Sequence, residues 1–285
     1  MIVSIFPNLH NDGVYELTLD LIQKLLELDI KIFMSKDFND GRFQDVGFAQ
    51  SCELFDIADI VIAIGGDGTT LNVAKVAALK HKPTLGINAG HLGYLSTIER
   101  DELYLIDNIV SGQYDIDKRM MLRVKIIDEN GNIVSSHHCL NDAVVTRGNI
   151  ARLIDIKITS EGKIVTQSRA DGMIVSTPTG STAYSMAAGG PVISPDNSCF
   201  VITPICPHSL ANRSIVYSSD REIEIKIDND SHSKSYLSLD GSTLIQILPE
   251  WKIKITKSKY QAELVDIKHK NFYEILNEKI LGRNN

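Results

Sequence analysis

Residues 59–80, DIVIAIGGDGTTLNVAKVAALK, are the part of the sequence most informative about the fold. It joins an apolar run to a glycine turn, GGDGT at 65–69, and then to an amphipathic pattern that predicts a helix over 69–80. Similar apolar runs occur at 2–6, 30–34 and 84–87. A buried strand followed by a helix, repeated along the chain, is typical of a parallel sheet covered by helices. We therefore predict a Rossmann-like α/β domain over residues 1–118.

The remainder of the chain has a different periodicity. Apolar and polar residues alternate in MLRVKII, LIDIKI and WKIKI, as in strands with one solvent-facing side. Asn130-Gly131 separates two such runs and suits a hairpin turn, because both residues tolerate positive φ. We predict a β-rich, sandwich-like domain over 119–262, and a C-terminal segment, 263–285, that returns to the first domain as a short helix.

Composition excludes several classes of protein. The 285 residues carry 29 Lys and Arg against 36 Asp and Glu, a net charge of −7 that argues against a nucleic-acid partner. The 4 cysteines show no zinc or disulfide spacing. The start of the chain has no basic leader, and no apolar segment approaches the roughly 20 residues of a membrane span. By elimination we expect a cytoplasmic protein without a membrane contact.

The glycine turn is the sharpest local signal. Glycines let backbone N–H groups approach a polyanion, and the helix that follows presents its positive end to phosphate. Asp67 would repel a phosphate unless Mg²⁺ intervenes or its carboxylate accepts the proton of an attacking hydroxyl, which indicates a kinase. The alternative is a tight turn in which Asp67 only caps the helix. Asn11 and Asp12 are likewise predicted to cap the first helix.

A second cluster, DGMIVSTPTGSTAYSMAAGGPVISP, covers residues 171–195. An apolar strand ends in a Pro-Thr-Gly turn, and Ser181 or Thr182 is predicted to cap the helix that follows. Tyr184 offers a ring for stacking a base, and Asp171 can accept a hydrogen bond from an amide or amino group. A Ser/Thr-rich loop with an ordinary core tyrosine explains either residue alone equally well.

Two shorter segments are ambiguous by themselves. INAGHLGYL at 87–95 follows a strand end, where ligands collect in open α/β sheets, or forms a plain crossover loop. Asn141-Asp142 suits a pair of ribose hydroxyls or an Asx turn.

Five segments, taken together, resemble the NAD kinase family. They are GGDGT, INAGHLGYLS at 87–96, LND at 140–142, the cluster at 171–195 and ITPICPHSLANRSIV at 202–216. The resemblance implies transfer of a phosphate from ATP, another nucleoside triphosphate or polyphosphate to the 2′-hydroxyl of the adenosine ribose of NAD. It implies Mg²⁺ bound mainly through donor phosphates, with no dedicated protein metal site, and a homotetramer or homodimer built through the β-rich domain.

The resemblance also implies residue roles, with Asp67 as the catalytic general base. Donor-binding residues would be Gly65, Gly66, Gly68, Thr69 and Asn88. NAD-binding residues would be Gly68, Asn141, Asp142, Asp171, Ser176, Thr179, Thr182, Ala183, Tyr184 and Asp240.

One departure from the family concerns the ribose contact. The family usually has Asn-Glu where this chain has Asn141-Asp142, a side chain shorter by about 1.5 Å. Two alternative functions remain at this point: a lipid kinase of the diacylglycerol or sphingosine type, which shares GGDGT, and a non-catalytic dinucleotide-binding sensor. The sequence leaves open the phosphate donor, the choice between NAD and NADH, and feedback by NADP or NADPH.

Overall fold

The computed structural model describes residues 1–90, 93–148, 152–209, 211–228 and 234–281. His91 and Leu92 of the predicted segment 87–96, and Leu210 of 202–216, lie outside the described residues. The chain forms two compact units, Met1–Lys118 with Ala262–Asn285, and Arg119–Gln261. None of the helices in the described ranges is long and apolar enough to cross a membrane.

The first unit contains a parallel sheet with helices packed along it. Its elements are β1 Ile2–Pro7, α1 Val14–Glu27, β2 Lys31–Ser35, β3 Gly47–Ala49, α2 Ser51–Ile57, β4 Ile60–Gly65, α3 Asp67–Leu79, β5 Thr84–Asn88, β6 Ile98–Glu99 and α4 Asp107–Ser111, with 3-10 helices Lys36–Phe38 and Arg100–Ile106. The sheet order is β6-β5-β4-β1-β2-β3. The predicted helix near residues 101–110 is therefore a 3-10 helix followed by one α-helical turn.

The hydrophobic pattern explains this sheet. Every residue of β4 is buried, as expected for the central strand of a sheet covered on both faces. Val14, Leu17, Leu21 and Leu25 of α1 are fully buried, so the apolar stripe read from the sequence faces the core. The same core contains Val265 and Ile267 from the C-terminal segment.

The second unit consists of antiparallel strands around one hydrophobic core. Its elements are β7 Asp115–Ile127, β8 Ile133–Cys139, β9 Asp142–Arg147, β10 Ile154–Ser160, β11 Lys163–Ala170, β12 Gly172–Ser176, a 3-10 helix Thr179–Thr182, α5 Tyr184–Ala187, β13 Cys199–Ile205, β14 Ile215–Ser218, β15 Ile223–Asp228, β16 Ser235–Leu239, β17 Thr243–Ile247 and β18 Lys252–Asp266. β7 begins in the first unit and β18 ends there. After β18 the chain closes with α6 Phe272–Leu281.

Strand pairing in the second unit follows the predicted alternation. One sheet has the order β14-β13-β12-β9-β16-β17, and β11, β10, β15 and β18 pair antiparallel in that order. Burial alternates strictly along β10, so its isoleucines face the core. β7 and β8 form a hairpin through Asn130-Gly131, with Gly131 at φ 86°. The predicted fold class, an α/β domain followed by a β-rich domain, is confirmed.

Candidate active site

The glycine turn of the first unit lies beside a cavity of about 460 Å³ at the carboxyl ends of three parallel strands. β4 and β5 pair here through Gly65 and Asn88. The cavity is lined by His10, Asn11, Asp12, Gly65, Gly66, Asn88, Ala89 and Gly90. Carboxyl ends of adjacent parallel strands are where α/β sheets bind ligands, and α3 begins next to this cavity. The site therefore has the geometry of an anion-binding pocket.

Asp67 is the first residue of α3, and its carboxylate faces the loop after β5. The N–H of Tyr94 donates to Oδ2 at 2.7 Å and the N–H of Leu95 donates to Oδ1 at 3.1 Å. The loop approaches closely, because a Cβ on Gly93 would lie 1.7 Å from Oδ1. Both carboxylate oxygens are thus oriented by backbone donors, and the side chain remains 35% exposed.

The alternative interpretation of Asp67 as a helix cap is wrong, and so is the predicted cap of the first helix. The N-cap of α3 is Gly66 without a side-chain cap, so Asp67 is held by Tyr94 and Leu95 rather than serving as the cap. The N-cap of α1 is Gly13 in the left-handed region, again without a side-chain cap. Asn11 and Asp12, predicted as caps, instead line the cavity, because the left-handed Gly13 starts the helix after them.

The second unit holds another aspartate by backbone N–H groups. The Asp240 carboxylate accepts hydrogen bonds from the N–H groups of Leu140, Asn141 and Asp142, at 3.0, 2.8 and 3.1 Å. Asp240 is 8% exposed and has φ 48°, the left-handed turn conformation of the β16–β17 hairpin. It therefore fixes the chain just before and at the start of β9, where Asn141 and Asp142 lie.

Asp142 is buried beside this carboxylate. Burial, together with the negative charge of Asp240, raises the pKa of Asp142 from 3.8 to about 7. A carboxyl group with this pKa carries a proton in about half the molecules at neutral pH, so Asp142 can donate as well as accept a hydrogen bond.

Asn141 presents an unsatisfied acceptor. Its Oδ1 atom is buried and accepts no hydrogen bond from any residue in the described ranges. Buried polar atoms are almost always paired in native proteins, so an orphan acceptor indicates a ligand donor. Asn141 lies in a cavity of about 390 Å³, within the range of small-molecule sites. The other lining residues are Asp142, Val144, Thr146, Ala183, Tyr184, Ser238, Asp240 and Gly241.

The Pro-Thr-Gly turn packs directly against Asn141. The Thr177 hydroxyl donates to the Leu140 carbonyl at 2.6 Å and accepts from the Gly180 N–H at 3.0 Å. A Cβ on Gly180 would lie 2.2 Å from the Asn141 carbonyl oxygen, so only glycine fits this close approach. The predicted Ser181 or Thr182 cap of α5 is wrong, because Ala183 is the N-cap and Ser181 Oγ instead contacts the Pro178 carbonyl and the Ile193 N–H.

The structure gathers some of the predicted site residues and not others. Gly65, Gly66 and Asn88 line the first cavity, and Asn141, Asp142, Ala183, Tyr184 and Asp240 line the second. Gly68 and Thr69 lie in the first turn of α3, where Thr69 Oγ1 accepts from Asn8. Ser176 is buried at the end of β12, with its Oγ unpaired among the described residues.

Three predicted NAD-binding residues have local partners. Thr182 donates to the Thr179 carbonyl at 3.1 Å, and Thr179 Oγ1 is 3.5 Å from the Arg119 guanidinium. Asp171 pairs with Arg147 Nε at 2.6 Å. Asp171 lies just before β12 and Ser176 is the last residue of that strand, so about 17 Å of extended chain separates the two residues. None of the three lines the second cavity.

Sequence reasoning missed several residues. His10 follows β1. It could have been identified because the carboxyl ends of neighbouring parallel strands lie along the same edge of the sheet. Ser238 is one position from Leu239 on β16, and the alternation of that strand places it on the opposite face from the core. Lys279 of α6 lies 3.7 Å from Asp67 Oδ2, and nothing in the sequence links the two residues.

Comparison with known proteins matches both halves of the chain to one family. The ATP-NAD kinase N-terminal domain matches residues 3–114, and the ATP-NAD kinase C-terminal domain matches residues 140–267. The chain belongs to the NAD kinase family. The NAD kinase of Citrifermentans bemidjiense is 34% identical over 98% of this chain and 97% of its own. That of Thermoanaerobacter sp. strain X514 is 35% identical over 99% of both.

Solved structures of NAD kinases and an NADH kinase have the same fold. Yeast NADH kinase complexed with NADH has a TM-score of 0.88 and 25% identity, covering 100% of this chain and 88% of that one. An NAD kinase from Archaeoglobus fulgidus in complex with ATP has a TM-score of 0.74 and 26% identity, covering 98% of both chains. The predicted resemblance and the predicted kinase activity are confirmed. Nothing in the comparisons favours a lipid kinase or a non-catalytic sensor.

Proposed function

We propose that this NAD kinase phosphorylates NAD at the 2′-hydroxyl of the adenosine ribose to give NADP, with ATP as phosphate donor and Asp67 as general base. The observation that carries the residue assignment is the Asp67 carboxylate. It stands at a glycine turn of the phosphate-binding type, and two backbone N–H groups orient its oxygens.

Alignment and proton removal account for the reaction. The hydroxyl O–H bond breaks and its proton moves to the Asp67 carboxylate while an O–P bond forms. The bond from the terminal phosphorus to the bridging oxygen of the donor breaks, and the nucleoside diphosphate leaves. A ribose hydroxyl is a weak nucleophile at neutral pH, so positioning and base catalysis both contribute.

Asn141 and Asp142 are the proposed ribose ligands. The unpaired Asn141 Oδ1 suits a hydroxyl donor, and Asp142 can donate or accept because its pKa is about 7. Ala183 and Tyr184 line the same cavity and are the proposed adenine contacts. We retain Asp171, Ser176, Thr179 and Thr182 as proposed NAD-binding residues. The local partners of Asp171, Thr179 and Thr182 indicate that these three residues act by shaping the site or rearrange when NAD binds. The buried Ser176 Oγ is unpaired among the described residues.

The first cavity is the proposed donor site, with Gly65, Gly66, Gly68, Thr69 and Asn88. Its lining offers oxygen atoms from the Asp12 carboxylate and from the amides of Asn11 and Asn88, the hard ligands that Mg²⁺ prefers. This set is too sparse for an all-protein cage and fits Mg²⁺ that is bound mainly by donor phosphates. When bound, Mg²⁺ supplies positive charge that screens the phosphate oxygens.

The proposed assembly is a homotetramer or homodimer formed through the β-rich unit. Ile164, Val216 and Leu244 lie on the outer strands β11, β14 and β17 and are 59%, 52% and 67% exposed. Exposed apolar side chains on edge strands favour association. Light scattering at micromolar concentration tests this, and a monomer would contradict it. Fractionation of the producing cells tests the proposed cytoplasmic location.

A direct assay tests the activity. Purified protein is incubated with NAD, ATP and Mg²⁺, and the products are separated by chromatography; we expect NADP. Parallel reactions replace ATP by polyphosphate, NAD by NADH or diacylglycerol, and Mg²⁺ by a chelator. Phosphorylation of diacylglycerol without formation of NADP or NADPH would refute the proposal.

A further inference from the structure

Lys279, on α6 of the C-terminal segment, reaches the carboxylate that we propose as the general base. Its Nζ atom is 3.7 Å from Asp67 Oδ2 and 4.1 Å from the centroid of the Tyr94 ring. The Lys279 side chain is only 18% exposed, so water screens this ion pair less than it screens a surface pair. The ammonium group thus meets the carboxylate and an aromatic face together.

Tyr94 joins these groups into one cluster. Its backbone N–H donates to Oδ2, the oxygen nearest to Lys279, while its ring lies against the ammonium group. A movement of Lys279 therefore affects both the charge beside Asp67 and the loop that orients it.

Several polar contacts fix the chain that carries Lys279. Asn271 N–H donates to Glu274 Oε2 at 3.1 Å, and Glu274 N–H donates to Asn271 Oδ1 at 2.9 Å, which closes a reciprocal cap at the start of α6. Just before this cap, Lys268 pairs with Glu102, and His269 Nδ1 lies 2.9 Å from Asp115 Oδ2. The Lys268 and His269 contacts hold the segment on the rest of the first unit, and the cap fixes the start of α6. Together they determine where Lys279 lies.

A cation near Asp67 would reduce the electrostatic repulsion between the Asp67 carboxylate and the donor phosphates. Asp67 is negative and stands next to Gly66, which lines the proposed donor cavity. A carboxylate and a polyphosphate repel each other, and an ammonium group 3.7 Å from the Asp67 carboxylate offsets part of its negative charge and so reduces that repulsion.

We infer that Lys279 is a positioning residue for phosphoryl transfer, which orients Asp67 and provides the positive charge that lets the donor phosphates approach it. This inference rests on the proposed function, because it assigns Lys279 to the same reaction. The C-terminal helix then has a role in the reaction in addition to packing.

Steady-state kinetics of Lys279→Gln test the inference, since glutamine keeps much of the length and removes the charge. We expect kcat to fall by about 10- to 100-fold and KM for ATP to rise, with KM for NAD within about twofold of wild type. Lys279→Arg restores the charge and is expected to keep kcat within about fivefold.

Lys270→Gln is the matched control. It removes an ammonium group from the same segment, where Lys270 pairs with Glu278 at 2.8 Å, and we expect unchanged kinetics. Similar losses in the two glutamine variants, failure of arginine to rescue, or a kcat of Lys279→Gln within twofold of wild type would each overturn the inference. If wild-type protein forms no NADP, the proposed function itself fails, which separates the two failures.

Discussion

The turn at Asp67 and the turn at Asp240 each hold a carboxylate with backbone N–H groups, but their surroundings differ. Asp67 is 35% exposed and has the Lys279 ammonium beside it. Asp240 is 8% exposed and has the carboxyl group of Asp142 as its neighbour. The first carboxylate is partly exposed beside a cation, whereas the second shares a buried site with Asp142, whose pKa is raised to about 7 by burial and by the charge of Asp240. Similar backbone clamps thus hold one aspartate that we propose as the general base and another that fixes the start of β9 at the second cavity.

The largest expected effect follows from Asp67→Asn, which removes the base and keeps its shape. We expect kcat to fall by about 10²- to 10⁴-fold, the usual contribution of a general base. The dissociation constant for NAD, measured by calorimetry, should change by less than about threefold. Asp56→Asn is the control, because Asp56 is exposed and pairs only with Lys80 among the ion pairs described. Unchanged NADP formation by Asp67→Asn would show that the two aspartates do not differ as proposed.

The next effect concerns the stability of the second unit as a function of pH. Between pH 3.8 and about 7 folded Asp142 keeps a proton that the unfolded chain releases. The free energy of unfolding contributed by this group is therefore greatest below pH 3.8 and declines as the pH rises towards 7. The decline is about 1.4 kcal/mol per pH unit, on the order of 4 kcal/mol in total.

Urea unfolding between pH 4.5 and 7.5 measures this slope. Asp142→Asn, which cannot titrate, should show a shallower decline than wild type, and groups elsewhere contribute equally to both proteins. Parallel pH dependences for the two proteins would contradict a protonated Asp142.

Two glycine substitutions test the same difference between the surroundings of Asp67 and those of Asp240. Gly93→Ala places a Cβ 1.7 Å from Asp67 Oδ1, and Gly180→Ala places one 2.2 Å from the Asn141 carbonyl. We expect the first to lower kcat by about 10- to 100-fold with little change in KM for NAD, because it displaces the base. The second should lower the free energy of unfolding by about 1–3 kcal/mol and raise KM for NAD, because backbone must move. A loss of stability with a raised KM for NAD in Gly93→Ala, together with a loss of kcat in Gly180→Ala, would contradict the proposed difference between the two turns.

The smallest effect is expected for Tyr184→Ala. Tyr184 lines the second cavity and is 45% exposed, so its ring is accessible for stacking on a base. Base stacking on an aromatic ring contributes about 1–3 kcal/mol, so KM for NAD should rise roughly tenfold while kcat changes little. Tyr184→Phe retains the ring and should behave as wild type. An equal loss in the phenylalanine variant would mean that the hydroxyl group, and not the ring, contacts the ligand.

Most of the fold was predictable from local pattern. The buried run before Gly65 and the alternation in β10 each follow from periodicity, since a buried strand and a half-buried strand require different residue orders. The predicted caps failed at α1, where Gly13 takes the cap position, and at α5, where Ala183 takes it. Asn11 and Asp12 have the composition of caps, and only the left-handed Gly13 after them shows that they line a cavity instead.

Residue order alone was enough to predict the two kinds of architecture, the glycine turn with its acidic residue, the family, and a set of candidate residues. The groups that hold each carboxylate are visible only in the folded chain. The donors to Asp67 lie 27 and 28 positions away, those to Asp240 lie 98 to 100 positions away, and Lys279 comes from the last helix. The protonation of Asp142 likewise depends on burial and on the charge of Asp240. Hydrogen bonds, charge pairing and desolvation act over a few ångströms in space, so they are set by the folded chain and not by neighbours in sequence.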